Sequence, residues 1–308
     1  MSGRYESVLE LIGDTPVVRL RRATDPRGAA LWAKLEMRNP GGSIKDRIAV
    51  SMLEQAEAEG RIAPGRTTII EATSGNTGIG LALVCAVKGY RLVLTMPDDL
   101  SGERQQLLRA YGAECVLTPA VEVMAGAIAR SREIGEAVPD AFFPSQFDNP
   151  ANPCAHHRGT AQELVRQFED IGLHGFVAGI GTGGTVTGVS GVLREAFPGI
   201  RIWAVEPERS AVLSGGEPGL HGLQGLGAGF VPDLLDRGAY DEVMPVQDEH
   251  AFEGARALAK AEGLLVGVSS GATFVVARRL ARKLGPDKNV VFICASGGER
   301  YLSTGLFR

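Results

Sequence analysis

Hydrophobic and polar positions recur with two periods along this chain, and their order outlines a fold. Ile48, Ala49, Met52, Leu53 and Ala56 repeat at helical spacing, with Glu54, Glu57 and Glu59 on other faces, which predicts an amphipathic helix starting near Lys45. Ser43 stands where its N-cap would be. Upstream, Gly13-Asp-Thr-Pro16 reads as a turn into a short strand at 17–20, and residues 31–36 alternate as a second strand. Downstream the pattern becomes repetitive. An apolar strand at 68–72 is followed by the polar turn Thr73-Ser-Gly-Asn-Thr-Gly78 and a mostly buried helix at 79–88. Gly89 stops that helix, and a strand at 91–96 is closed by Pro97. A helix at 103–111, a strand at 114–117 and a helix at 121–134 complete this half. After a proline- and asparagine-rich stretch at 142–153 the design recurs: strand 175–178, glycine turn 179–185, helix 186–197, and strand 200–205 closed by Glu206-Pro207. Segment 209–231 has many glycines and little periodicity, so a long functional loop is expected there. A helix at 249–262, a Gly267-Val-Ser-Ser-Gly271 turn into another helix, and a strand at 290–294 end the pattern.

Strand–turn–helix–strand units of this kind need parallel strands and crossover helices. The expected architecture is α/β, with two domains each built on a mostly parallel twisted sheet flanked by helices. The boundary is placed at 149–153. Residues 1–150 form the first domain, with about 13–35 packing on the other, and 151–308 form the second.

Composition narrows the classes. The 308 residues are 44% hydrophobic and 22% charged with a net charge of −4, an ordinary globular balance with room for a large core. There is no basic excess and no Lys/Arg cluster interleaved with aromatics, which argues against nucleic acid as a ligand. No apolar run approaches the roughly 18 residues of a membrane span, and residues 1–11 lack the apolar core of a signal peptide, so the expected location is the cytoplasm. Cys85, Cys115, Cys154 and Cys294 are far apart and read as reduced thiols. His156 and His157 are adjacent and point different ways, so no metal site is expected.

The candidate chemistry lies in the turns. In Asn39-Pro-Gly-Gly-Ser-Ile-Lys-Asp-Arg47 a glycine loop delivers Lys45 onto the first turn of a helix, where the dipole repels a cation and lowers the amine's pKa. Such an amine suits attack on a carbonyl or proton transfer; the alternative is an exposed lysine paired with Asp46. Gly181-Thr-Gly-Gly-Thr185 follows a strand and opens a helix, so its N–H groups and hydroxyls suit a phosphate. Thr73-Ser-Gly-Asn-Thr-Gly78 suits a carboxylate, or is an ordinary cap. A hydroxyl at Ser269 would be a neutral partner for a pyridine nitrogen, or merely an N-cap. Gly179-Ile-Gly-Thr-Gly-Gly184 with Glu206 also satisfies the dinucleotide fingerprint, which would make this an NAD-dependent oxidoreductase. That reading leaves Lys45 and the other two turns unexplained, whereas a phosphorylated aldehyde cofactor uses all four.

Together these motifs resemble the fold type II, tryptophan synthase β-like pyridoxal phosphate enzymes, in particular the cysteine synthase and cystathionine β-synthase family, from Ile12-Gly-Asp-Thr-Pro16 to Gly298-Glu-Arg-Tyr-Leu-Ser-Thr304. The resemblance implies that Lys45 is the Schiff-base lysine and proton carrier, that Asn76 bonds the cofactor's ring hydroxyl, that Gly181, Thr182, Gly183, Gly184 and Thr185 bind its phosphate, and that Ser269 faces the pyridine nitrogen. It implies that Thr73, Ser74, Gly75, Thr77 and Gln146 hold a substrate carboxylate, with Gly225 also at the substrate. Leu223-Gln-Gly-Leu-Gly-Ala-Gly-Phe230 is similar to the loop of the sulfhydrylases, where cystathionine β-synthases place Tyr-Asp at Ala228-Gly229. An end at Arg308, with no regulatory domain after it and no haem-binding extension before the core, is likewise what a sulfhydrylase would have. The implied activity is a ping-pong β-replacement, making L-cysteine from O-acetyl-L-serine and sulfide with release of acetate. Cystathionine or O-phosphoserine chemistry on the same scaffold, and a non-catalytic interaction protein, are the alternatives. The family also implies a homodimer and a possible partner in the C-terminal tail of serine acetyltransferase.

Overall fold

The computed structural model describes residues 3–73, 75–98 and 102–308. In chain order the main elements are β1 (Val17–Arg19), β2 (Ala30–Leu35), α1 (Lys45–Ala58), β3 (Thr68–Ala72), α2 (Asn76–Lys88), β4 (Arg91–Pro97), α3 (Gly102–Ala110), β5 (Glu114–Thr118), α4 (Val123–Ala137) and β6 (Ala141–Phe142). There follow α5 (Ala151–Ala155), α6 (Gln162–Phe168), β7 (Gly175–Gly179), α7 (Gly184–Ala196), β8 (Arg201–Pro207), β9 (Glu242–Val246), α8 (Asp248–Glu262), α9 (Val268–Leu284) and β10 (Asn289–Cys294). The chain divides into two compact units, Met1–Ile12 with Lys45–Asn152, and Gly13–Ile44 with Pro153–Arg308. The segment grouped with the second unit therefore runs to the residue before Lys45.

The first unit is built on a four-stranded sheet in the order β5-β4-β3-β6, parallel throughout. Its central strands β3 and β4 are buried over nearly their whole length, as expected where helices cover both faces. Ile69, Leu92, Leu94 and Met96 meet Ala49 and Leu53 of α1 and Leu81 and Val84 of α2 in one core. Helices α1 and α2 approach so closely that a Cβ added at Gly80 would lie 3.0 Å from the carbonyl oxygen of Lys45.

The second unit has a six-stranded sheet in the order β1-β2-β10-β7-β8-β9, parallel except for the antiparallel edge strand β1. Successive side chains on a strand point to opposite faces, and the core divides accordingly. Val290, Phe292 and Cys294 pack with Val177 and Val205 on one face, while Val291 and Ile293 pack with Phe176, Ala178, Ile202 and Ala204 on the other. Helices α8 and α9 cross with their backbones nearly touching: a Cβ at Gly271 would lie 2.0 Å from the carbonyl oxygen of Ala251, and one at Gly254 2.6 Å from that of Gly271.

Three features depart from the sequence-based expectation. Residues 151–168 are helical rather than a bare linker, with a π-helical widening at His156–Ala161 between α5 and α6. Strand β9 contains Pro245, which an edge strand tolerates because that position's N–H is not needed by a neighbour. Helix α2 begins at Asn76 instead of Ile79.

Because the α8–α9 crossing has no room for a methyl group, Gly271→Ala should cost about 1–3 kcal/mol or more, seen as a lower urea midpoint with an unchanged m-value.

Candidate active site

The lysine loop is tied along the end of β10. The Ile44 N–H donates to the Ala295 carbonyl at 2.8 Å, Ser43 bridges to Ser296, and the Gly297 N–H donates to the Gly42 carbonyl at 3.3 Å. The guanidinium of Arg300 donates to the Gly41 carbonyl at 2.8 Å. Within the loop, the Asn39 side-chain amide donates to the carbonyls of Glu36 at 2.9 Å and Ser43 at 3.2 Å. Ser43 thus lies in this bridge, and Ile44 is the residue that precedes the helix. Lys45 is half-buried rather than exposed. Its pKa is lowered to about 8 by burial, which penalises the ammonium.

In the first unit, β3 runs into the 73–78 loop. The Thr73 N–H donates to the Thr95 carbonyl at 3.1 Å, and the Thr73 hydroxyl accepts from the Gly75 N–H at 3.3 Å. Gly75 is the N-cap of α2, so Asn76 and Thr77 occupy its first turn. The Thr77 hydroxyl donates to the Gln146 side-chain carbonyl at 2.6 Å, which brings a residue 69 positions away onto this loop. Ser74 lies outside the described residues. Two residues behind the loop were not singled out from the sequence. Glu71 is a carboxylate buried in β3, and its signal was a charge inside an otherwise apolar strand. Asn152 donates from its side chain to the Gln146 carbonyl at 2.7 Å.

In the second unit, β7 runs into Gly181-Thr-Gly-Gly-Thr185, and α7 opens at Gly184 behind a left-handed Gly183 (φ +84°). The loop is closely packed: a Cβ at Gly181 would lie 2.5 Å from the Gly225 carbonyl oxygen, one at Gly183 2.8 Å from the Leu235 side chain, and the Gly227 N–H donates to the Ile180 carbonyl at 2.9 Å. Gly225, itself at φ +91°, is thereby pressed against the glycine turn. The Thr182 hydroxyl accepts from the Gly184 N–H at 3.4 Å, and the Thr185 hydroxyl meets His156 Nε2 at 3.3 Å. His156 is buried in the π-helical turn, and its other ring nitrogen meets the Thr160 hydroxyl at 3.0 Å. Bare backbone, hydroxyls and a helix N-terminus fit a phosphate. Ser269 lies in the first turn of α9, buried, and the N-cap is Gly267. Its neighbour Ser270 accepts from the Ala295 N–H at 3.0 Å.

Glu206, the carboxylate that a dinucleotide would need for its ribose, is buried and already accepts from the Leu213 N–H at 2.8 Å, the Ser214 N–H at 3.1 Å and the Ser214 hydroxyl at 2.5 Å. It caps the 212–214 turn instead. Burial pushes the Cys85 thiol up to about 12 and raises that of Cys294 as well, which marks both as unreactive core thiols. Among the described residues, no group of three or more His, Cys, Asp or Glu is placed to hold a metal ion, and no helix is long and apolar enough to cross a membrane.

Comparison with known proteins points the same way as the lysine and the phosphate cradle. The family model described as pyridoxal-phosphate dependent enzyme matches residues 8–296. A cysteine synthase of Staphylococcus aureus (strain N315) is 54% identical over 302 residues, which cover 98% of this chain and 97% of that protein. A probable cysteine synthase of Bacillus subtilis (strain 168) is 51% identical over 300 residues, covering 97% and 96%. Among solved structures, cysteine synthase (OASS) of Entamoeba histolytica superposes with a TM-score of 0.94 at 43% identity, covering 100% of this chain and 92% of that one. The chain belongs to the family of pyridoxal-phosphate dependent enzymes.

Proposed function

We propose that the protein is a cysteine synthase, replacing the acetoxy group of O-acetyl-L-serine with sulfide to give L-cysteine and acetate. The observation that carries this reading is Lys45, an amine held at the start of α1 with its pKa lowered to about 8, in a chain of this family. When bound, pyridoxal phosphate supplies an aldehyde that condenses with amines and a ring that accepts the electrons left when a Cα–H bond breaks. Lys45 holds that aldehyde between turnovers. Once released, its amine is partly neutral near pH 7 and takes the α-proton. Gly181, Thr182, Gly183, Gly184 and Thr185 hold the phosphate, Asn76 bonds the ring hydroxyl, and Ser269 faces the pyridine nitrogen. A hydroxyl there is neutral and leaves the ring unprotonated, which favours loss of a β-substituent over transamination. Thr73, Ser74, Gly75, Thr77 and Gln146 hold the substrate carboxylate, with Gly225 alongside the substrate. Acetate would leave from Cβ with its bonding pair, sulfide would add there, and Lys45 would return the proton to Cα, with the 73–78 loop positioned to exclude water.

The 223–230 loop favours the sulfhydrylase over a cystathionine β-synthase. Gly227 and Gly229 have φ of +61° and +83°, and an aspartate at 229 would be strained there. No arginine stands within 221–230 to receive a phosphoserine. The enzyme works in the cytoplasm as a homodimer, and the C-terminal tail of serine acetyltransferase is a second ligand for the same site.

Purified protein loaded with pyridoxal phosphate should form cysteine from O-acetylserine and sulfide. Cystathionine from serine and homocysteine, or turnover of O-phosphoserine alone, would move the assignment to those rivals. Lys45→Ala should keep the fold and lose turnover by roughly a thousandfold or more; full activity in that variant would remove Lys45 from the mechanism.

The lowered pKa also predicts a stability change. An amine with a pKa near 8 in the folded state, against 10.5 for an ordinary lysine, binds fewer protons folded than unfolded between those values. Its cost to stability is therefore full below pH 8 and lifts as pH rises towards 10.5. Cofactor-free Lys45→Met should melt above the cofactor-free wild type at pH 7, with the gain shrinking through that window. Equal melting temperatures at pH 7 would show that the amine is not desolvated.

A further inference from the structure

Glu71 is a buried acid that the mechanism above leaves unused. It is 6% exposed and stands two residues before Thr73 on β3. One carboxylate oxygen accepts from the Ser145 N–H at 3.1 Å and the other from the Gln146 N–H at 3.4 Å. We infer that Glu71 is a positioning residue for the substrate-carboxylate subsite, acting through Gln146; this rests on the proposed role of Gln146 and the 73–78 loop.

The geometry gives the acid this task. Gln146 is held on three sides: its N–H by Glu71, its backbone carbonyl by the Asn152 side chain at 2.7 Å, and its side-chain carbonyl by the Thr77 hydroxyl at 2.6 Å. With that side-chain carbonyl committed to Thr77, the end of Gln146 that can serve an anion is its NH₂ group, which already bonds the Glu71 carboxylate and has a second hydrogen to offer. The turn that carries it is strained, because Ser145 has φ +54°, a region a serine enters only when its surroundings hold it. Two acceptor oxygens on one rigid strand hold both N–H groups of that turn, and no apolar strand residue could do so. Burial makes this arrangement costly. It raises the Glu71 pKa to about 7, against the Ser145 and Gln146 N–H groups, which lower it; Asp148 raises it further and the Gln146 side chain lowers it. A charge kept in a strand core against that cost, beside the carboxylate loop, is placed for its hydrogen bonds rather than for packing.

Glu71→Gln keeps one acceptor and turns the other oxygen into a donor that faces an N–H. The neutral acid is already populated near pH 7, so this isostere should fold. In the cofactor-loaded enzyme it should raise KM for O-acetylserine about tenfold, while kcat and KM for sulfide stay within about twofold. In a Gln146→Ala background the same substitution should add less than about twofold, because its effect passes through Gln146. An unchanged KM, or a full further loss in the Gln146→Ala background, overturns the inference. A wild type without sulfhydrylase activity overturns the functional reading, and the inference with it. The wild type alone gives a second measurement, needed if the variant does not fold. L-Alanine and L-alaninamide, whose binding is read from cofactor absorbance, differ in the carboxylate, and because both amines are mostly protonated up to pH 7.5 their amine proton dependences run nearly parallel in that range. Their affinity ratio should shift about fivefold in favour of the carboxylate from pH 6 to pH 7.5, as Glu71 ionises and grips the turn. A flat ratio overturns the inference.

Discussion

A strand that re-enters its sheet in parallel cannot turn back on itself; it must hand its carboxyl end to a loop and a helix N-terminus. That constraint governs this molecule. Strand β3 ends in the 73–78 loop and α2, and β7 ends in the 181–185 loop and α7. Each junction presents N–H groups that the helix itself cannot satisfy, which suits it to an anion before any side chain is chosen. Glycine and small hydroxyl residues then keep the approach open. At Gly181 the neighbouring Gly225 carbonyl leaves no space for a larger residue.

The lysine loop solves a different problem. Burying an amine costs stability, because the ammonium loses its water. The loop meets that cost with backbone bonds: Ile44 to Ala295, Gly297 to Gly42, and the Arg300 guanidinium to Gly41. Lys45 follows directly on a segment fixed at four consecutive residues. Burial lowers its pKa to about 8.

The β3–α2–β4 and β7–α7–β8 units were legible because apolar strands, Gly/Ser/Thr turns and glycine or proline stops stand in order, and strands β4 and β8 do end at Pro97 and Pro207. The helical stretch 151–168 was not legible, because the Pro- and Asn-rich sequence before it reads as a linker and its early residues carry little amphipathic signal. Strand β9 was hidden by Pro245, which argues against a strand unless the edge position is known. At the site, the loops that run locally along the chain could be read. Gln146 came only through family resemblance. Glu71 and Asn152 were missed because their importance lies in what they hold, and a hydrogen bond across 75 residues leaves no pattern in the sequence.

The two anion loops have one more property in common: neither 73–78 nor 181–185 contains a lysine or an arginine. Fixed cations would bind a phosphate and a carboxylate more strongly than hydroxyls and N–H dipoles do, but they would also act on every nearby titrating group. Dipolar donors fall off more steeply with distance than charges, so in the function proposed above they would hold an anion without imposing a fixed charge on distant groups. Glu71 extends the same logic: the negative charge that shapes the carboxylate loop stands behind a turn of the backbone, and reaches the loop through Gln146 rather than directly.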